Sequence, residues 1–225
     1  MKALFASLNG IFITAQFIVL YIYRNFIGGY KMKGFCSFIF VLLGIVNLIY
    51  CLINKIDGKI FPILIVCGLL FGMIADVVLN FNFIIGAAIF AVGHILYFAA
   101  FTLLHKLCMK DLIAVLCIFA FSLIIVLLPI YDFGSKLMFF VIIAYAVIIS
   151  LMLSKALMNA VNTKKTMEII LFVGSLLFYV SDFMLLLSIF GGEKNFSSLV
   201  CCYTYWPGQI IIAFSLYFYE GKAIA

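Results

Sequence analysis

Eight apolar stretches, each close to twenty residues long, follow one another along 225 residues with only short polar breaks between them. They cover roughly 4–23, 35–53, 60–80, 83–104, 112–130, 137–156, 168–190 and 199–219. About 20 apolar residues is the length a helix needs to cross some 30 Å of hydrocarbon. Backbone groups in lipid have no water to bond to, which makes such stretches helical. The expected fold is therefore an all-α membrane protein of eight transmembrane helices, a single domain over 1–225 with no soluble part. Composition agrees: the chain is 68% hydrophobic and 10% charged, whereas a soluble domain is about half apolar and a quarter charged. The apolar run after Met1-Lys2 is too long for a signal-peptide core and counts as the first span. Phe81-Asn82 leaves almost no loop between spans three and four, so a very tight hairpin is expected there, with one long kinked or re-entrant element as the alternative.

The charges orient the bundle. With the N-terminus inside, nine of the cations (Lys2, Lys55, Lys59, Lys106, Lys110, Lys155, Lys164, Lys165, Lys222) fall on the inner side. Five (Arg24, Lys31, Lys33, Lys136, Lys194) fall on the outer side. That bias predicts both termini in the cytoplasm, in the cell membrane. The net charge of +6 is spread over short loops, where it meets anionic headgroups. The expected partners are membrane lipids and no nucleic acid. The seven cysteines lie mostly inside apolar runs without CxxC spacing or neighbouring histidines, so neither a disulfide framework nor a metal or cofactor site is expected.

Ionisable groups inside a membrane are costly and are functional candidates by default. Span three carries Asp76, with Gly68, Gly72 and Asn80 at i, i+4 spacing on the same face. The small residues allow a neighbouring helix to approach, and the polar ones then face it. Span four carries His94 and Tyr97 on one face, His94 expected opposite Asp76 but about 9 Å deeper from the hairpin turn. Span seven carries Ser181-Asp182; Ser181 lacks a nucleophile-elbow sequence and suits hydrogen bonding to a carboxylate or the backbone. In span eight, Pro207 predicts a kink beside Tyr205 and Gln209. Asn9, Gln16, Asn47 and Tyr145 read as packing groups. Gly68 stands eight residues before Asp76, and Gly174 eight before Asp182. Gly93-His94 in span four likewise parallels Gly208-Gln209 in span eight. These matches predict two parallel four-helix repeats, 1–110 and 111–225, related by an axis along the membrane normal.

At these positions the chain resembles the YhhN family of eight-span membrane proteins, whose characterised members are lysoplasmalogenases. The matching residues are Leu69-Leu70-Phe71 with Asp76 and Leu79, Gly93-His94 with Tyr97, Ser181-Asp182, and Tyr205 with Gln209. They occur in order from span three to span eight, about two thirds of the chain. Ala75 departs from the pattern, standing where the family has the glycine of a Gly-Asp pair. The resemblance implies a lysophospholipid substrate and hydrolysis of its vinyl ether to a fatty aldehyde and a glycerophospho-base. Such an ether is cleaved by protonating carbon, which leaves an oxocarbenium-like cation for water to capture, as glycosidase carboxyl pairs also manage. A carboxyl deprived of water favours its protonated form, as a general acid must. The resemblance thus implies Asp76 and Asp182 as the catalytic pair, with His94 orienting one of them or relaying protons. Asn80, Tyr97, Ser181, Tyr205 and Gln209 would position water and the glycerol unit. Which aspartate is the acid stays open at this level, as does oligomeric state. A proton-coupled transporter and an intramembrane aspartyl protease use similar residues, though Gly72-Met73-Ile74-Ala75-Asp76 fits the protease signature poorly.

Overall fold

The computed structural model describes residues 1–221; Lys222, counted above with the inner charges, lies outside them. Among the described residues there are eight α-helices: α1 (Lys2–Asn25), α2 (Tyr30–Ile53), α3 (Ile60–Val78), α4 (Phe83–Leu104), α5 (Met109–Val126), α6 (Lys136–Thr163), α7 (Thr166–Phe190) and α8 (Lys194–Ser215). A short 3-10 turn, Leu216–Phe218, ends α8. All eight are long and apolar enough to cross a membrane. Ile11, Phe17, Leu116 and Phe140 stand exposed on their outer faces, as lipid-facing side chains do.

The α3–α4 break is a true hairpin. Asn82 is extended, and its side chain accepts from the backbone N–H of Ile85 at 3.1 Å, which caps α4 and fixes where it starts. Two spans differ from the expected ones. α5 stops at Val126 rather than near 130, because Pro129 disfavours helical geometry at the residue before it. α6 runs on to Thr163 rather than ending near 156. Lys155 does not end it: its ammonium is buried and paired, 3.2 Å from both carboxylate oxygens of Asp111 and 3.1 Å from the Lys106 carbonyl. With its charge answered by the start of α5, the lysine sits inside the helix. Asp111 also accepts from the Cys108 N–H at 2.7 Å, so the same carboxylate caps α5.

Packing organises six of the helices into a closed ring, α2–α3–α4–α6–α7–α8 and back to α2. α1 packs outside α2 and α8, and α5 outside α6. The tightest contacts are within the α3–α4 and α7–α8 hairpins, and glycines allow them. A Cβ on Gly93 would meet the Gly68 carbonyl at 3.3 Å, and one on Gly208 would meet the Gly174 carbonyl at 2.9 Å. Exchanging α1–α4 with α5–α8 maps the order of the ring onto itself, while α1, unlike α5, packs closely on a second ring helix. We retain the repeat as our reading of the ring. α8 passes through Pro207 without a break in helical assignment.

Removing one partner of a buried ion pair leaves a charge stranded, at a cost of about 3–5 kcal/mol. Asp111→Ala should therefore lower the thermal-unfolding midpoint of the detergent-purified protein sharply. The double change Asp111→Leu with Lys155→Met should recover most of the loss.

Candidate functional site

The chemistry-bearing side chains gather at one end of the ring, the end carrying the α1–α2, α3–α4, α5–α6 and α7–α8 connections. Asp76, in the last turn of α3, is 2% exposed. Its Oδ2 accepts from the Tyr205 hydroxyl of α8 at 2.7 Å and lies 2.5 Å from Ser37 Oγ of α2. Its Oδ1 is 3.5 Å from the Lys33 ammonium. The Trp206 indole N–H donates to Ser37 Oγ at 3.1 Å, while that hydroxyl also lies 3.1 Å from the Lys33 carbonyl. Ser37 has one proton for two acceptors, the carbonyl and Asp76. Glycine at 72 lets α8 come this close: a Cβ there would sit 3.1 Å from Gln209 Nε2 and 3.5 Å from the Tyr205 hydroxyl.

Asp182 of α7 has its own partners. Its Oδ2 accepts from the Tyr145 hydroxyl of α6 at 2.8 Å and lies 3.5 Å from His94 Nε2 of α4. His94 Nε2 is 2.7 Å from the Tyr145 oxygen, and His94 Nδ1 faces the sulfur of Met152 at 3.2 Å. Tyr145 donates to the carboxylate, so its oxygen accepts from Nε2; the thioether only accepts. Both ring nitrogens thus have a partner, Tyr145 on one side and Met152 on the other.

Each carboxyl opens on a cavity, and the two cavities adjoin. Asp76 lines a space of about 120 Å³ with Lys33, Tyr23, Tyr205, Trp206, Ser188 and Ser198. Asp182 and Tyr145 line one of about 70 Å³ whose other walls are apolar, among them Phe83, Val126, Ile142, Ile149 and Phe183. Leu79, Phe90 and Leu185 belong to both walls. The carboxyls make no direct hydrogen bond to each other among the described residues. Tyr145 and Cys201 nevertheless lie within electrostatic reach of both.

The sequence-predicted residues divide accordingly. Tyr205 bonds Asp76 directly. Tyr97 and Gln209 bond each other at 2.7 Å, one layer behind, and leave Gln209 Nε2 without a partner. His94 joins Asp182 and not Asp76, because its greater depth carries it past the α3 carboxyl to the level of α6. Asn80 is exposed and turns back onto its own helix, donating to the Asp76 and Val77 carbonyls at 2.6 and 3.1 Å. Ser181 likewise donates to the Phe178 carbonyl at 2.6 Å and does not reach the Asp182 carboxyl. The Gly68–Gly72–Asp76 face is shared between neighbours, Gly68 packing on Tyr97 and the other two facing α8. Ser37 and Trp206 were not singled out in the sequence, Lys33 was read only as an outer charge and Tyr145 only as a packing group. The one available signal was Lys33 and Ser37 at i, i+4 near the start of α2, on a face pointing inward.

A model of the YhhN family matches residues 35–216. The chain belongs to the YhhN family. No curated protein and no solved structure matches it. The YhhN match spans Ser37, Asp76, His94, Tyr145, Asp182, Tyr205 and Trp206, and begins after Arg24 and Lys33.

Both cavities belong to the same end of the YhhN bundle, so a reagent should reach them from one side only. In a variant whose sole cysteine is Cys201, a small membrane-impermeant thiosulfonate should label from the side of the 127–135 connection and not from the other. Equal labelling from both sides of sealed vesicles of fixed orientation contradicts this placement.

Proposed function

We propose that this protein is an integral-membrane hydrolase that opens the vinyl ether of lysoplasmalogens, with Asp76 and Asp182 as its acid–base pair. The observation that carries the reading is the meeting of a buried carboxyl cluster, at Asp76, and a half-buried one, at Asp182, at one shared wall, in a chain of the YhhN family. Most of the polar groups line the Asp76 cavity, whose wall is otherwise largely apolar, and the Asp182 cavity is more apolar still. That suits a lysolipid lying with its glycerol end beside Asp76 and its chain beside Asp182. The vinyl ether joins those two parts and so falls at the junction of the cavities.

The reaction begins with proton transfer to the vinyl carbon remote from oxygen. The double bond supplies the electron pair, and an oxocarbenium-like cation forms. Water adds to the oxygen-bearing carbon and loses a proton, giving a hemiacetal. The hemiacetal's carbon–glycerol oxygen bond then breaks, its hydroxyl proton passes to the departing oxygen, and an aldehyde and a glycerophospho-base leave. One water is consumed and the proton is returned.

The environments favour Asp76 as the acid. It is the more enclosed of the two carboxyls, 2% exposed against 17% for Asp182. Asp182 is the partner carboxylate: the His94–Tyr145 pair donates toward it, and it opposes the cation and accepts the proton of the attacking water. Two carboxyls in differing surroundings are how one site runs acid and base steps together. Phe90, in both walls, offers a π face to the cationic intermediate. With both termini cytoplasmic, the lysolipid reaches this end from the outer leaflet.

General acid or base catalysis contributes about 10²–10⁴-fold. Asp76→Asn and Asp182→Asn should each lower aldehyde release from a vinyl-ether lysolipid by at least roughly a hundredfold, with the unfolding midpoint little changed. Mass spectrometry of the products reads the aldehyde directly. Full activity in either variant removes the pair.

A further inference from the structure

We propose that Arg24 and Lys33 form a phosphate-binding subsite at the mouth of the Asp76 cavity, holding the headgroup phosphate of a single-chain glycerolipid. The proposal deepens the hydrolase reading by naming what positions the substrate, and rests on it only for what happens after binding.

Position comes first. Arg24 is the next-to-last residue of α1, and Lys33 lies in the first turn of α2. Both stand at the helix ends, the level at which lipid phosphates lie, with Asp76 one turn inside the end of α3. A glycerol unit separates the phosphate of a lysolipid from its ether oxygen, which matches that offset.

The donors are in surplus. Lys33 offers three N–H groups, and its only side-chain polar contact among the described residues is the 3.5 Å approach to Asp76. Arg24 offers five. Its only side-chain hydrogen bond among the described residues is the one Nη1 donates to Ser198 Oγ at 3.3 Å, and Ser198 is part of the cavity wall. One cation thus stands beside the carboxyl and a second bonds the wall of the same cavity, with one carboxylate in that wall to set against them. A guanidinium grips a phosphate through paired hydrogen bonds and an ammonium through point charge. Neither cation lies in the stretch that the family model covers.

The molecule carries its own reporter. Trp206 is the chain's single tryptophan, it lines this cavity, and its ring meets Tyr23 edge-on at 5.1 Å. Purified full-length protein in neutral detergent at low salt is titrated with a saturated-ether lysophospholipid, which cannot be hydrolysed at a vinyl bond, and Trp206 emission is followed. Wild type should give a saturable change. Arg24→Gln and Lys33→Gln should each shift half-saturation roughly tenfold or more, about 1.4 kcal/mol. Arg24→Lys should recover part of the loss, which a folding defect would not. The phosphate-free 1-alkylglycerol should bind weakly and equally to wild type and variants.

Equal binding of the two lipids by wild type, or variants indistinguishable from wild type, overturns the subsite. Inorganic phosphate titrating as tightly as the lysolipid overturns the lipid assignment and leaves a site for a free anion. The hydrolase reading is separated by its own assay. Arg24-dependent binding without aldehyde release from the vinyl-ether analogue retires the reaction and keeps the subsite. Aldehyde release whose KM is untouched in Arg24→Gln does the reverse.

Discussion

A carboxyl enclosed in hydrocarbon must find donors on other helices, and that requirement ties this bundle together at two points. Asp76 joins α3 to α2 and α8; Asp182 joins α7 to α6 and α4. These six helices are the ones that close the ring, while α1 and α5, which bond neither aspartate, remain outside it. Each carboxyl thus fixes the mutual register of three helices at one end. The cavities beside them exist because those helices are held at their polar contacts and not packed flush.

The glycines set how close the helices come. In α3–α4 and α7–α8 a glycine faces a glycine carbonyl, so the hairpins approach backbone to backbone. Close hairpins bring Tyr205 and His94 inward, each across the ring from its own half. Tyr205 of the second half serves the carboxyl of the first, and His94 of the first serves the carboxyl of the second. Gly68, Gly72 and Gly174 thus place polar groups as much as they pack helices.

Spans and hairpins were legible because twenty apolar residues have few alternatives in lipid. Asp76, Asp182, His94 and Tyr205 were legible because polar groups in such runs are conspicuous. Partnership was not legible. Nothing in one dimension says that His94 lies level with α7 and not α3, since this depends on helix tilt and ring closure. Tyr145 read as a polar packing group, since its carboxylate partner lies on another helix, and Lys33 as a loop charge. Ser181 and Asn80 turn to backbone carbonyls of their own helices, as a short polar side chain in a helix can, and the backbone was one of the two partners expected of Ser181. Lys155 hid the length of α6, because its partner Asp111 lies on another helix.

The order of helices round the ring is unchanged when the halves are exchanged, yet the two sites differ chemically. Asp76 has a lysine, a serine and a tyrosine; Asp182 has a tyrosine and a histidine. Both cavities are walled mainly by apolar groups, but the one beside Asp76 adds serine and tyrosine hydroxyls and a lysine, whereas the one beside Asp182 adds only two tyrosines. A single-chain lipid carries the same asymmetry along its length, polar at one end and apolar at the other. In a vinyl-ether lipid the scissile bond marks that change of polarity. A protein that sorts such a lipid by polarity alone therefore brings the reactive bond to the boundary between its cavities, and Leu79, Phe90 and Leu185 are that boundary. On our reading, a proton donor on one side and a carboxylate on the other need only that the surroundings of the two aspartates differ.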